Sequence, residues 1–207
     1  MLKSIIIILF VIIIIVIGET IIRNKINNFE FYKPNDTPHY VLEVVEKFLN
    51  NINLKDFIFI DLGCGIGNIL DTFSDDCKLS IGVEHNKYIY MHLVDKYTNN
   101  KKIKIVQSDL IDFIYPQDNL IIYIHEPFWD KSKNQRKKLY KKVIEQITQL
   151  YQQERKNILF IYCSSLINKS IDENIFNQWK LISHIEIPFS EIIPLLNYDI
   201  YFYQVSD

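Results

Sequence analysis

Apolar positions along the chain follow two patterns: short blocks that are wholly or mostly apolar, and longer stretches in which they recur every three or four residues. The blocks predict buried strands, and the periodic stretches predict amphipathic helices. Blocks occupy residues 57–60, 79–83, 103–106, 120–124 and 158–162. Helical spacing marks residues 68–74, 87–97 and 135–153; in the last, Leu139, Val143, Ile147, Leu150 and Tyr151 share one face. A further helix precedes the first block, with Val41, Leu42, Val45, Phe48 and Leu49 on one side. Thr37-Pro38 reads as its start, Thr37 as N-cap and Pro38 in the first helical position, and Asn50-Asn51 ends it. Residues 179–187 and 198–205 predict a terminal antiparallel pair. Strands and helices in alternation, joined by short connections, predict a doubly wound α/β sheet whose central strands are parallel.

One apolar run does not fit this scheme. Residues 5–18 are uninterrupted, preceded only by Met1, Leu2, Lys3 and Ser4. As a helix they cover about 21 Å, less than a hydrocarbon core of about 30 Å, and the neighbouring residues 1–2 and 20–22 complete the span. The expected reading is a single transmembrane anchor over residues 1–22, a polar linker over 23–36 and a globular domain over 37–207. A cleaved signal peptide competes, with Val16 and Gly18 as a loose cleavage signal, and so does a buried helix. Arg23, Lys25 and Lys33 outnumber Lys3 across the run, which places the globular domain on the cytoplasmic side of the membrane.

Composition changes how much weight propensity deserves. Isoleucine is abundant and alanine is absent. Coding bias from an AT-rich genome accounts for this, and it inflates strand propensity inside helices. Periodicity and turn residues are therefore the better guides. The net charge of −2 provides no global basic field, so nucleic acid is not an expected partner. The three cysteines, Cys64, Cys77 and Cys163, are widely spaced and form no CxxC pair, so neither a metal site nor a disulfide framework is expected.

The candidate chemistry lies at the end of the first block, in Asp61-Leu62-Gly63-Cys64-Gly65-Ile66-Gly67-Asn68. Doubly wound sheets bind ligands beyond the carboxyl ends of their strands, and glycines there let a backbone turn tightly against a ligand. Two cofactor classes use such a turn. Dinucleotide sites place a pyrophosphate on the following helix, with the third glycine later in the motif. Here an acidic residue leads the glycines, and a carboxylate at Asp61 would repel a pyrophosphate. It suits a cofactor bearing an ammonium group, such as the methionine part of S-adenosylmethionine. Cys64 fits the turn as a small filler better than as a nucleophile.

The stretch Phe59-Ile60-Asp61-Leu62-Gly63-Cys64-Gly65-Ile66-Gly67-Asn68 resembles motif I of class I S-adenosylmethionine-dependent methyltransferases. Three further stretches fit that family in order: Ile81-Gly82-Val83-Glu84, with its acid twenty-three residues after Asp61, Gln107-Ser108-Asp109-Leu110, and Tyr123-Ile124-His125-Glu126-Pro127-Phe128. The resemblance covers roughly residues 37 to 205. It implies a Rossmann-like, seven-strand sheet with a C-terminal antiparallel strand. It also implies S-adenosylmethionine as cofactor, Glu84 on the ribose hydroxyls, Asp109 by the adenine amino group and the N–H of Leu110 on the ring. His85 either borders the adenosine or is a solvated strand-end histidine. Glu126-Pro127-Phe128 is expected beside the transferable methyl.

The acceptor is less legible. Amino-group methyltransferases often carry Asn/Asp-Pro-Pro-aromatic where this chain has Glu126-Pro127-Phe128-Trp129, and a related subgroup has Asn-Pro-Phe, to which this stretch is closer. Transfer to nitrogen follows, with Glu126 orienting or deprotonating the amine. The apolar run, then Phe31-Tyr32-Lys33-Pro34, then a helix and motif I resemble membrane-anchored protein lysine methyltransferases, and seven-strand histone lysine methyltransferases share Gly82-Val83-Glu84. That resemblance implies a lysine side chain as acceptor and Tyr32 and Pro34 as a cover over the cofactor. A lipid or small amine remains an alternative acceptor, and a non-catalytic S-adenosylmethionine-binding module an alternative function. Lys131, Lys133, Arg136, Lys137, Lys138, Lys141 and Lys142 form a basic run, read as a solvated helix face in preference to a contact with anionic lipid or phosphate. Positive charge opposes a helix N-terminus, so this helix is expected to start late.

Overall fold

The structure, a computed structural model, describes residues 37–128, 131–165, 176, 178–187 and 198–206. The predicted anchor and linker, with Tyr32 and Pro34, lie outside these residues, as does Trp129. The described residues belong to a compact unit, Asp36–Asp207. Among them no helix is long and apolar enough to cross a membrane.

Seven strands form one sheet: β1 (Ile58–Leu62), β2 (Leu79–Glu84), β3 (Ile103–Gln107), β4 (Leu120–His125), β5 (Ile158–Ser165), β6 (Lys180–Ile187) and β7 (Tyr198–Gln204), in the order β3-β2-β1-β4-β5-β7-β6. The first five are parallel, and β7 runs antiparallel between β5 and β6. Strand order reverses direction between β1 and β4, which opens a crevice at their carboxyl ends. The described residues also form four α-helices, α1 (His39–Leu49), α2 (Asn68–Phe73), α3 (Lys87–Lys96) and α4 (Lys133–Glu154), and a short 3-10 turn at Leu54–Asp56.

Successive residues of a strand point to opposite faces, and here both faces are covered, so β1 is buried at every position. One face gathers Ile60, Leu62, Ile122, Ile124, Phe160 and Tyr162 with Tyr140, Val143, Ile144 and Ile147 of α4. The other gathers Phe59, Ile121, Tyr123, Ile161 and Cys163 with Val41, Val45 and Leu49 of α1 and Ile69, Leu70 and Phe73 of α2. The buried face of α4 is thus rotated from the predicted one: Leu139, Leu150 and Tyr151 are only partly buried at its border. β6 closes the sheet as a half-exposed edge, with a bulge between Leu181 and Ser183.

Two helix starts differ from expectation. Pro38, not Thr37, caps α1: its carbonyl accepts from Val41 and Leu42. Thr37 Oγ1 turns instead to the β4 end, 3.3 Å from the Tyr123 hydroxyl and 3.4 Å from His125 Nδ1. α4 starts early, not late. Ser132 and Gln135 form a reciprocal capping box that satisfies two terminal N–H groups, and this local bonding outweighs the exposed, solvent-screened lysines of the first turns.

Candidate functional site

β1 delivers Asp61 and Leu62 to the crevice, and the chain then turns through three glycines with positive φ: +85° at Gly63, +51° at Gly65 and +84° at Gly67. The turn is stitched to β2, since the N–H groups of Gly63 and Cys64 both donate to the Val83 carbonyl, at 2.9 and 3.1 Å. Two of the glycines are also required by space. A Cβ at Gly63 would lie 2.8 Å from Pro127 Cβ, and one at Gly67 would lie 2.5 Å from the Tyr97 hydroxyl.

Asp61 is 4% exposed, and among the described residues its carboxylate accepts no hydrogen bond. Burial, and then the neighbouring Glu84 carboxylate, push its pKa up to about 8. Glu84 ends β2, itself 5% exposed. Its two oxygens are divided between backbone donors: Oε2 accepts from Gly65 N at 3.3 Å and Oε1 from Asn86 N at 2.8 Å. His85 Nδ1 lies 3.3 Å from the same Oε1, with its side chain 75% exposed on the rim.

The remaining predicted residues fall along the same edge of the sheet. Ser108 N donates to the Glu84 carbonyl, which ties the loop after β3 to the end of β2. Asp109 is exposed on that loop and accepts from Ile111 N at 3.2 Å, while the Leu110 side chain is buried. Asn68 opens α2, its carbonyl accepting from Thr72 Oγ1. At the end of β4, Glu126 has φ +45°, uncommon for a residue with a side chain, and its Oε1 accepts from Ser164 Oγ at 3.3 Å. Pro127 packs toward Gly63. Phe128 is 7% exposed and meets Tyr140 edge-on at 5.1 Å, so its ring belongs to the core under the crevice.

Two residues at this edge, Lys96 and Tyr97, lie outside every motif singled out in the sequence. From α3, Lys96 Nζ donates to the Ile66 carbonyl at 3.0 Å and to Asp71 at 2.7 Å. Next to it, the Tyr97 hydroxyl donates to the Gly67 carbonyl at 2.9 Å. The glycine turn is thus held from behind by its carbonyls. His125 is enclosed by Tyr123, Tyr198 and Thr37, and burial lowers its pKa against the pull of Glu126. No group of three or more His, Cys, Asp or Glu poised to hold a metal occurs among the described residues.

The donor set fits S-adenosylmethionine. A buried carboxylate with no hydrogen bond among the described residues suits an ammonium group, and an acid at the end of the next strand suits vicinal hydroxyls.

The strand order is that of the seven-strand methyltransferase-like sheet. Solved structures share it. NodS, an N-methyltransferase from Bradyrhizobium japonicum WM9 in complex with S-adenosyl-L-homocysteine, superimposes with a TM-score of 0.62 over 87% of this chain and 94% of its own, at 10% identity. Magnesium protoporphyrin IX methyltransferase from Synechocystis PCC 6803, with bound S-adenosylmethionine, gives 0.63 over 90% and 96%, at 11% identity. A putative RNA methyltransferase from Pyrococcus horikoshii gives 0.56 over 83% and 87%, at 18% identity. The sequence itself matches no protein-family model and no curated protein.

Proposed function

We propose that the chain is an S-adenosylmethionine-dependent methyltransferase that transfers a methyl group to nitrogen, with a protein lysine as acceptor, at the cytoplasmic face of a membrane. The observation that carries the cofactor assignment is the Asp61 carboxylate, buried at the mouth of the glycine turn with no hydrogen bond from the described residues. Desolvating a carboxylate is costly, and a cationic ligand is what offsets it.

When bound, S-adenosylmethionine supplies a methyl group on a sulfonium centre, whose bond to carbon breaks with the electron pair staying on sulfur. This chain's residues do the positioning, from which the rate derives. Asp61 receives the amino group of the donor and Glu84 its ribose hydroxyls. Pro127 lies against Gly63, so the donor loop and the acceptor residues share one contact. Glu126 accepts a hydrogen bond from the acceptor nitrogen and takes the proton which that nitrogen sheds.

Nitrogen as acceptor is supported by the Glu126-Pro127-Phe128 stretch, and NodS, of the same fold, is an N-methyltransferase. Lysine and the membrane are supported by the amino-terminal sequence. An anchor raises the local concentration of bilayer-bound partners and so favours a protein there over a free metabolite. Transfer of labelled methyl from S-adenosylmethionine to a membrane extract, resolved into protein and lipid fractions, tests the acceptor. Label in methyllysine after hydrolysis of the protein fraction is the expected result. Label confined to lipid overturns the lysine assignment, and donor binding without label in any fraction favours a binding module. Deleting residues 1–22 is expected to release the protein from the membrane pellet; continued pelleting contradicts the anchor.

A further inference from the structure

The outward side of α4 concentrates the chain's positive charge. Residues 131–142 hold seven of its 23 Lys and Arg and none of its 25 Asp and Glu. Tyr140, Val143, Ile144 and Ile147 fix the buried side of the helix, and Lys133, Lys137, Lys138, Lys141 and Lys142 are all exposed. Lys141 meets Glu145 at 3.8 Å, where the basic stretch ends. Among the described residues, Lys133, Lys138 and Lys142 form no ion pair. The stretch begins at the crevice edge, since the Lys131 N–H donates to the Phe128 carbonyl at 3.0 Å, directly after Glu126-Pro127.

In sequence this run reads as a solvated helix face; its setting in the fold argues otherwise. Nothing inside the helix favours the charge. Cations in the first turns oppose the helix dipole, and Lys137 with Lys141, and Lys138 with Lys142, are like charges at i,i+4. The capping box of Ser132 and Gln135 nevertheless starts the helix at Lys133. The lysines are thereby held on a rigid outward surface about 14 Å long. An anionic partner outside the helix offsets what these charges cost within it.

The carboxylates at the same end of the sheet decide between partners. Glu84, Asp109 and Glu126 lie along the crevice and repel a polyanion that would pass from α4 into it, which opposes a nucleic acid. A bilayer is planar and meets only the outward helix face, and its anionic headgroups attract lysine clusters of this size. We propose that the lysine face of α4, Lys133 to Lys142, lies against the anionic lipid headgroups of a membrane surface and holds the neighbouring crevice at the bilayer. This contact goes beyond the anchor over residues 1–22 and stands without it.

The test footprints the lysines of the full chain by acetylation and mass spectrometry, with phosphatidylcholine vesicles that contain or lack phosphatidylserine. Lys133, Lys137, Lys138, Lys141 and Lys142 are expected to react about fivefold more slowly when phosphatidylserine is present, and high salt is expected to abolish the difference. Lys55, exposed at the opposite end of the sheet, serves as the control and is expected to react equally with both. A chain inserted through its amino-terminal segment enters both kinds of vesicle, so the anchor and this contact fail separately. The double variant Lys138→Glu, Lys142→Glu is expected to lose the difference at Lys133, Lys137 and Lys141 while binding S-adenosylmethionine within about twofold of wild type. Equal acetylation of the α4 lysines with both vesicles overturns the proposal and returns the run to a solvated face. Slowing that persists unchanged in the double variant overturns it as well. Protection by single-stranded RNA and not by phosphatidylserine overturns it in favour of a nucleic-acid contact.

Discussion

Gly63 and Pro127 are in contact range across the crevice: a Cβ built on Gly63 would lie 2.8 Å from Pro127 Cβ. One contact therefore couples the first turn after β1 to the exit of β4. Gly63→Ala would meet both this overlap and the penalty of φ +85° for a residue with a Cβ. The expected cost is about 1–3 kcal/mol of stability, with donor affinity and methyl transfer falling together. Thermal melts and calorimetric titration check it; an unchanged affinity would separate the two sites.

Asp61 makes stability and donor binding depend on pH. In an unfolded chain an aspartate ionises near pH 4; in the fold Asp61 does so at about 8. Between those values the folded protein holds a proton that the unfolded chain has lost. Stability therefore falls as pH rises through this window and levels off above it. Asp61→Asn is expected to remove that fall, so that the variant melts higher than wild type at pH 8 and not at pH 5. An ammonium beside the carboxylate lowers its pKa, so donor binding near pH 7 is expected to release a proton. Titrations in phosphate and Tris, which differ in heat of ionisation, read that release as a difference in apparent enthalpy, absent in Asp61→Asn.

Lys96 and Tyr97 hold the Ile66 and Gly67 carbonyls away from the crevice. Lys96→Met and Tyr97→Phe each remove one such bond and are expected to weaken donor binding about three- to tenfold. Lys96→Arg, which keeps the charge and the donor, is expected to lose less. Equal affinities for wild type and both variants would show that the turn holds its shape unaided.

Ser132→Ala removes the capping box of α4 and is expected to cost about 1 kcal/mol. Donor affinity should not change, because Ser132 and Gln135 are exposed and no residue assigned to the donor lies on α4. Chemical denaturation measures the first and titration the second.

The sheet and much of the crevice are legible in the sequence because they rest on local signals. Short, largely apolar blocks mark strands covered on both faces, and acids and glycines at strand ends keep their spacing whatever surrounds them. Asp61, Glu84 and Glu126-Pro127-Phe128 accordingly lie along one edge of the sheet. What stayed hidden depends on pairs distant in sequence. Nothing near Lys96 or Tyr97 announces that they reach the turn some thirty residues earlier. The start of α4 differs from the expectation for another reason: a capping box, two hydrogen bonds within four residues, outweighs the charge of the first turns. The start of α1 moved because Thr37 found partners on β4 that its neighbours in sequence do not reveal.

The most direct test is calorimetric titration of the full chain with S-adenosylmethionine, compared with Asp61→Ala and Glu84→Ala. Binding of one donor per chain is expected, weakened at least tenfold in each variant, since each removes a charge-assisted contact to the ligand. Wild-type chain that takes up no donor, or variants that bind it as tightly as wild type, would contradict the assignment of this crevice.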